Sequence, residues 1–143
     1  MHGFDIYATA AAAAGVPLPT DRTIDGVDLV PFVRGERTDE PHRALFWRSG
    51  HYRVARIDGW KLQVNERPPG STWLFDLRSA PTEKTDLAAR EPERVAAMRR
   101  ALDAHDAEQI ASAWPSVAEM PVSIDKTLAE PEAKDDESIY WPN

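Results

Sequence analysis

Four histidines, at positions 2, 42, 51 and 105, are the first residues to weigh for chemistry, because imidazole titrates near neutrality and ligates metals. No pair has the H-x-x-x-H or H-E-x-x-H spacing that sets two rings on one helical face. Each therefore reads as an exposed or locally hydrogen-bonded side chain. Cysteine is absent, which removes a thiolate zinc site, a disulfide framework and a cysteine nucleophile. No serine stands in a G-x-S-x-G elbow, and there is no glycine-rich phosphate loop. Residues 130–137 are rich in carboxylates but lack the spacing and central glycine of an EF-hand loop. Arg48, Arg53, Arg56 and Lys61 could raise the local concentration of an anionic substrate; the plainer reading is solvated strand faces. The residues thus predict no self-sufficient reaction centre: no catalytic, cofactor-binding or metal-ligating residue is expected in this chain.

The elements that carry these side chains are built from a chain short of core formers. Hydrophobic residues make up 42% of the 143, yet 21 of them are alanine, and Leu, Ile, Val and Phe together number 28. Fifteen of those 28 fall between positions 24 and 77, beside Trp47, Trp60 and Trp73, so the core is expected in the middle third. Residues 5–14 are alanine-rich and free of Gly and Pro, with Gly15 and Pro17 as the stop, which predicts a helix. It has little to bury by itself and should dock on a larger body. Asp25-Gly26 signals a turn, and Val27, Leu29, Val30 and Val33 suit a short helix ended by Gly35, with Pro31 forced into its first turn.

Strands are expected over 44–48, 51–57, 60–65 and 72–77. Asp58-Gly59 between alternating segments predicts a type I′ hairpin, since both central residues need positive φ. The cover for this sheet is a helix opening at Pro92, with Val95, Met98, Leu102 and Ile110 on its apolar stripe. Beyond Ala113, prolines punctuate an acidic segment that still carries Trp114, Ile139, Tyr140 and Trp141, which predicts an extended strap. The fold class expected is α+β: a small four-stranded antiparallel sheet covered by a C-terminal helix, with an N-terminal helix and an extended C-terminal strap. The divisions expected are 1–35 as docking helix and connector, 36–113 as sheet and helix, and 114–143 as acidic tail.

Charge is unevenly placed. Residues 1–102 carry 15 Lys and Arg against 14 Asp and Glu; residues 103–143 carry 2 against 10. The balance disfavours nucleic-acid binding, which needs clustered basic side chains. No run of about 18 apolar residues is present, so no membrane-spanning helix is expected. The N-terminus has no basic stretch ahead of its alanines and does not read as a signal peptide, and the compartment is not legible.

Taken as a string, the chain resembles the C-terminal part of sulfatases of the arylsulfatase type, in the alkaline-phosphatase-like superfamily. Residues 2–9 (His-Gly-Phe-Asp-Ile-Tyr-Ala-Thr), 13–19 and 24–31 are similar to the family's D-x-x-P-T…AG…DG-x-x-L-x-P passage. Residues 45–48 and 55–62 resemble the hairpin that enters its small C-terminal sheet. Residues 73–77 and 81–88 resemble its L-Y-D-L-x-x-D-P-x-E-x-x-N-L-A box, and residues 124–128 and 139–143 complete the match. Ala8 replaces a proline of the first passage; Ala80 and Asp86 stand where the box has Asp and Asn. The resemblance implies a sulfuric ester hydrolase with a formylglycine nucleophile, from a Cys-x-Pro-x-Arg motif, and a calcium ion. Those groups belong to the family's upstream part, and none maps onto a residue here.

Two readings follow from the resemblance. In the first, the chain is the C-terminal fragment of a sulfatase, completes the fold, walls the substrate cleft, and is inactive alone. Its partner is then the missing N-terminal sulfatase domain, or a second copy through self-association, and a sulfate ester is met only in the complete enzyme. In the second, it is a stand-alone acidic interaction module derived from that subdomain. The family is often periplasmic, secreted or lysosomal.

Overall fold

The computed structural model describes residues 2–110, the strands at 119–123 and 138–142, and residues 130, 131 and 133. The chain divides into two compact units, Met1–Arg43 and Ala44–Asn143.

In the first unit, helix α1 spans Asp5–Ala13. It closes as a Schellman turn, with Val16 N donating to Ala11 O and Gly15 N to Ala12 O. Its inner face buries Asp5 and Ala8. Thr9 Oγ1 accepts from Leu29 N at 3.1 Å and donates to Val27 O at 3.4 Å, which lays the 27–29 stretch along the helix. Gly26 makes the close approach possible: a Cβ there would lie 2.3 Å from the Phe4 carbonyl oxygen. Helix α2 spans only Val30–Val33, with Pro31 in its first turn. Pro31 has no N–H to give the Val27 carbonyl, so the helix does not start at Val27; the Val27 and Leu29 amides ahead of it are held by Asp5 and Thr9.

In the second unit, β1 (Ala44–Ser49), β2 (Tyr52–Ile57), β3 (Trp60–Asn65) and β4 (Ser71–Asp76) form one antiparallel meander in chain order. Asp58 and Gly59 have φ of 48° and 81°, and Ile57 pairs with Trp60, which is the two-residue turn expected from the sequence. Ala55, Leu62 and Leu74 lie in one cross-strand row, at 0% exposure, and with Val64 form the floor of the core. Helix α3 (Pro92–Ala107) closes that core with Met98 and Leu102. It stops before the expected last member of its stripe: Glu108 and Gln109 turn the chain with i→i+3 bonds, and Ile110 is 89% exposed.

The opposite sheet face is also buried. Tyr52, Val54, Trp73 and Phe75 cluster there, and Gln63 on the same face is only 6% exposed. In the tail, β5 (Glu119–Ser123) and β6 (Ser138–Pro142) pair antiparallel, with Met120 opposite Trp141, and β6 comes close to β2. The strap is extended, as its prolines suggest, but it folds back on itself as a ribbon. Residues 111–118 and 124–129 lie outside the described residues, as does most of the 130–137 acidic run.

Candidate functional site

Among the described residues, the buried polar side chains Asp5 and Gln63 are both hydrogen-bonded. Asp5, at the start of α1, is fully buried. Its Oδ2 accepts from the His2 amide at 2.6 Å, and its Oδ1 from the Val27 amide at 3.2 Å and from His42 Nε2 at 2.7 Å. Burial alone would raise the carboxyl pKa, but the amide bonds from His2 and Val27, with His42, outweigh it and hold the group below its ordinary 3.8. One carboxylate thus gathers three chain segments: the N-terminus, the 26–29 stretch and the end of the connector.

Arg53 is the corresponding hub of the sheet. It points to the α3 side and donates through Nη1 to Asp103 at 2.9 Å and Asp106 at 2.8 Å, and through Nη2 to Glu66. Burial would lower its pKa; the three carboxylates overcome that and push it up, so the guanidinium stays charged. On the other face, Lys61 Nζ donates to both Glu83 oxygens at 2.9 and 2.7 Å, and Gln63 Nε2 donates to Glu83 at 2.7 Å. Tyr52 donates to Gln63 Oε1 at 2.6 Å, and burial, then the Glu83 charge, pushes its hydroxyl pKa up. Glu83 takes a left-handed φ of 56° to reach this position. Asp86 accepts from the Leu74 and Ala88 amides, both at 2.9 Å, and Leu87 N donates to Leu74 O, which staples 83–88 along β4.

The four basic residues singled out from sequence are not brought together. Arg48 and Arg53 alternate onto the α3 face, Arg56 and Lys61 onto the other. Arg48 donates to the Ile110 carbonyl, and Arg53 and Lys61 are held by carboxylates, so the four make no common anion site. Two of the histidines share a neighbourhood: His2 stacks on Phe4 at 4.2 Å, His42 meets the edge of the same ring at 5.2 Å, and both bond to Asp5, the first through its backbone amide; His105 is stacked on Phe46 at 4.4 Å. His51 sits in the β1–β2 turn. Among the described residues no group of three or more His, Asp or Glu is placed to hold a metal ion. The nodes at Asp5, Arg53 and Glu83 pair donor with acceptor and hold elements in place. Periodicity does not reveal them. The one signal for Asp5, Glu83 and Asp86 is their place in passages resembling the sulfatases.

No family model matches the chain. Among curated proteins it is 50% identical to human steryl-sulfatase over 71 residues, covering 50% of this chain and 11% of that protein. It is 31% identical to mouse steryl-sulfatase over 137 aligned positions, covering 72% of this chain and 21% of that protein. A match at 42% identity to an uncharacterized Escherichia coli sulfatase, YdeN, covers 33% of this chain and 8% of that one. Among solved structures, Ps i-CgsB superposes with a TM-score of 0.61 at 24% identity, covering 77% of this chain and 25% of that chain. The phosphonate monoester hydrolase of Agrobacterium radiobacter gives 0.53 at 23% identity, covering 74% and 25%.

The fold of most of this chain is therefore shared with about a quarter of each of those two solved chains. Over the part that aligns, the chain is a sulfatase homologue, and its short share of each relative is consistent with a C-terminal portion.

Proposed function

We propose that this chain is the C-terminal portion of a sulfuric ester hydrolase, where it completes the fold and walls one side of the substrate cleft. The observation that carries the reading is the extent of the matches: a sequence 72% covered by a sulfatase accounts for only 21% of that protein's length. Acceleration of ester hydrolysis needs a placed nucleophile or metal, and the polar nodes here are engaged in holding the fold. In this reading the formylglycine and calcium sites are supplied by an upstream sulfatase body, and a sulfate ester is met only in the joint protein. The outer side of α1 supports such a partner. Residues 6–16 contain no charged side chain, and Ile6 and Tyr7 are 68% and 53% exposed, whereas a helix destined for water carries charge on that side.

The test is an assay of the purified 16.0 kDa chain on a chromogenic aryl sulfate with calcium present. No turnover above buffer is expected. Turnover that co-purifies with the chain and is lost when it is removed by antibody would overturn the reading. The upstream coding sequence gives a second readout: an in-frame Cys-x-Pro-x-Arg supports a sulfatase body, and its absence favours the stand-alone acidic module.

A further inference from the structure

We propose that the outer edge of β1 pairs antiparallel with β1 of a second copy of this chain, joining the two sheets across a two-fold axis at Phe46. The two edges of the sheet are treated differently. On β4 the outward groups of Leu74 are taken: its N–H donates to Asp86 and its carbonyl accepts from Leu87 N. On β1 the two-residue turn makes Ser49 and Tyr52 a hydrogen-bonded pair, so Trp47 and Leu45 also bond inward. Ala44, Phe46 and Arg48 then turn their backbone N–H and C=O groups outward. Among the described residues, no backbone bond beyond the strand pairing reaches any of these three. Helix α3 packs mainly over β2 and β3, inboard of this edge. The strand also lacks two common guards against edge pairing: it has no proline and no bulge, since all six positions pair one to one with β2.

The sequence of the strand selects its own copy as the occupant. Only the even-numbered residues face outward, so antiparallel self-pairing can set Phe46 opposite Phe46 and Ala44 opposite Arg48 at each end. That register makes three hydrogen-bonded pairs and leaves no outward backbone group of the strand unpaired. Every shift from it loses at least one pair, and the shift that sets Arg48 opposite Arg48 also puts like charges face to face. In the central register the two arginines are four positions apart, about 14 Å, beyond the Debye length at physiological salt. On the other face Leu45 lies opposite Trp47, in the closely spaced pairs that suit apolar contact, and Trp47 is 38% exposed. The contact is isologous and closes at two copies. It uses β1 alone and stands apart from the sulfatase reading.

The experiment is sedimentation equilibrium of the full chain from about 5 to 500 μM, beside hydrogen exchange over the same range. A single edge pairing is a small interface, so half-dimerisation is expected at about 10–100 μM. Protection of the Phe46 amide should rise with concentration while that of Leu62 stays constant. Ala44 is exposed, so it can be changed without touching the core. Ala44→Glu sets a carboxylate opposite Arg48 of the second copy, at both ends of the pairing, and should tighten the dimer about fivefold. Ala44→Arg sets like charges there and should weaken it about fivefold. Both shifts should shrink in about 1 M salt. A monomer at about 500 μM, a dimer indifferent to both substitutions, or a Phe46 amide whose exchange ignores concentration would each overturn the proposal. Self-association through the apolar side of α1 would give the second of these results.

Discussion

The two units are held by different forces. The sheet-and-helix unit has six buried apolar side chains in one cluster, from Ala55 to Leu102, ringed by half-buried ones such as Phe46 and Trp60. Among its described residues the first unit buries only Ala8 and Leu29 of the apolar ones, and its Asp5 carboxylate is fully buried. Burial of hydrocarbon is non-directional and forgiving of small shifts; a buried carboxylate with three donors is directional and fails when one partner is lost. A short stretch of chain can therefore be given a definite shape without a core, provided that one charged group is fully satisfied.

Removing apolar volume from the larger unit should have the greatest effect. Leu62→Ala takes away a side chain with no exposure at the centre of the sheet–helix interface and should cost about 2–5 kcal/mol. A shift in the denaturation midpoint worth under about 1 kcal/mol would mean that the cluster is not what holds this unit.

Asp5→Asn probes the other mode. It removes the charge and turns an amide donor toward groups that already donate, so the first unit should lose about 3 kcal/mol. Hydrogen exchange at Val27 and Leu29 should accelerate while Leu62 and Leu74 keep their protection; a uniform loss across both would break the distinction. The same carboxylate gives an acid dependence. Its folded pKa lies below the ordinary 3.8, so its contribution is fully present above that value and disappears as pH falls through the folded pKa. The mutant should lack this low-pH step.

Gly59→Val tests the turn between β2 and β3, with the smallest effect of the three. Gly59 has φ of 81°, and a Cβ would lie 2.6 Å from the Arg78 side chain. A β-branched residue there should destabilise the sheet by about 1–3 kcal/mol, read as a midpoint shift. Wild-type stability would show that the hairpin tolerates a different turn.

The hairpins, the bounds of α1 and the helix cover were legible because each rests on signals within a few residues: Asp58-Gly59, the Gly15 stop, Pro92 ahead of an apolar stripe. Contacts with distant groups were not legible. The Val27 and Leu29 amides are held by Asp5 and Thr9, some 20 residues earlier, and Gln63 donates to Glu83, 20 residues later. Alternation along β3 says which side Gln63 faces, but not that a later loop reaches back to meet it. The Asp5–His42 pair spans 37 positions, beyond the reach of any periodicity. That the basic strand residues do not converge could be read only once the register of β1 and β2 was known.

The meander has a kinetic consequence. Each strand pairs with its immediate neighbour in sequence; two of the three connections contain only two residues, and the third runs from Asn65 to Ser71. Closing such short loops sacrifices little chain entropy, and hairpins of this kind assemble in microseconds. During synthesis, all four strands leave the ribosome before any part of α3 does, because β4 ends at Asp76 and α3 begins at Pro92. The nascent sheet must therefore spend the time needed to make about 30 residues, some seconds, with Leu62, Val64 and Leu74 uncovered. Any chaperone that guards this chain should recognise that interval, and that face.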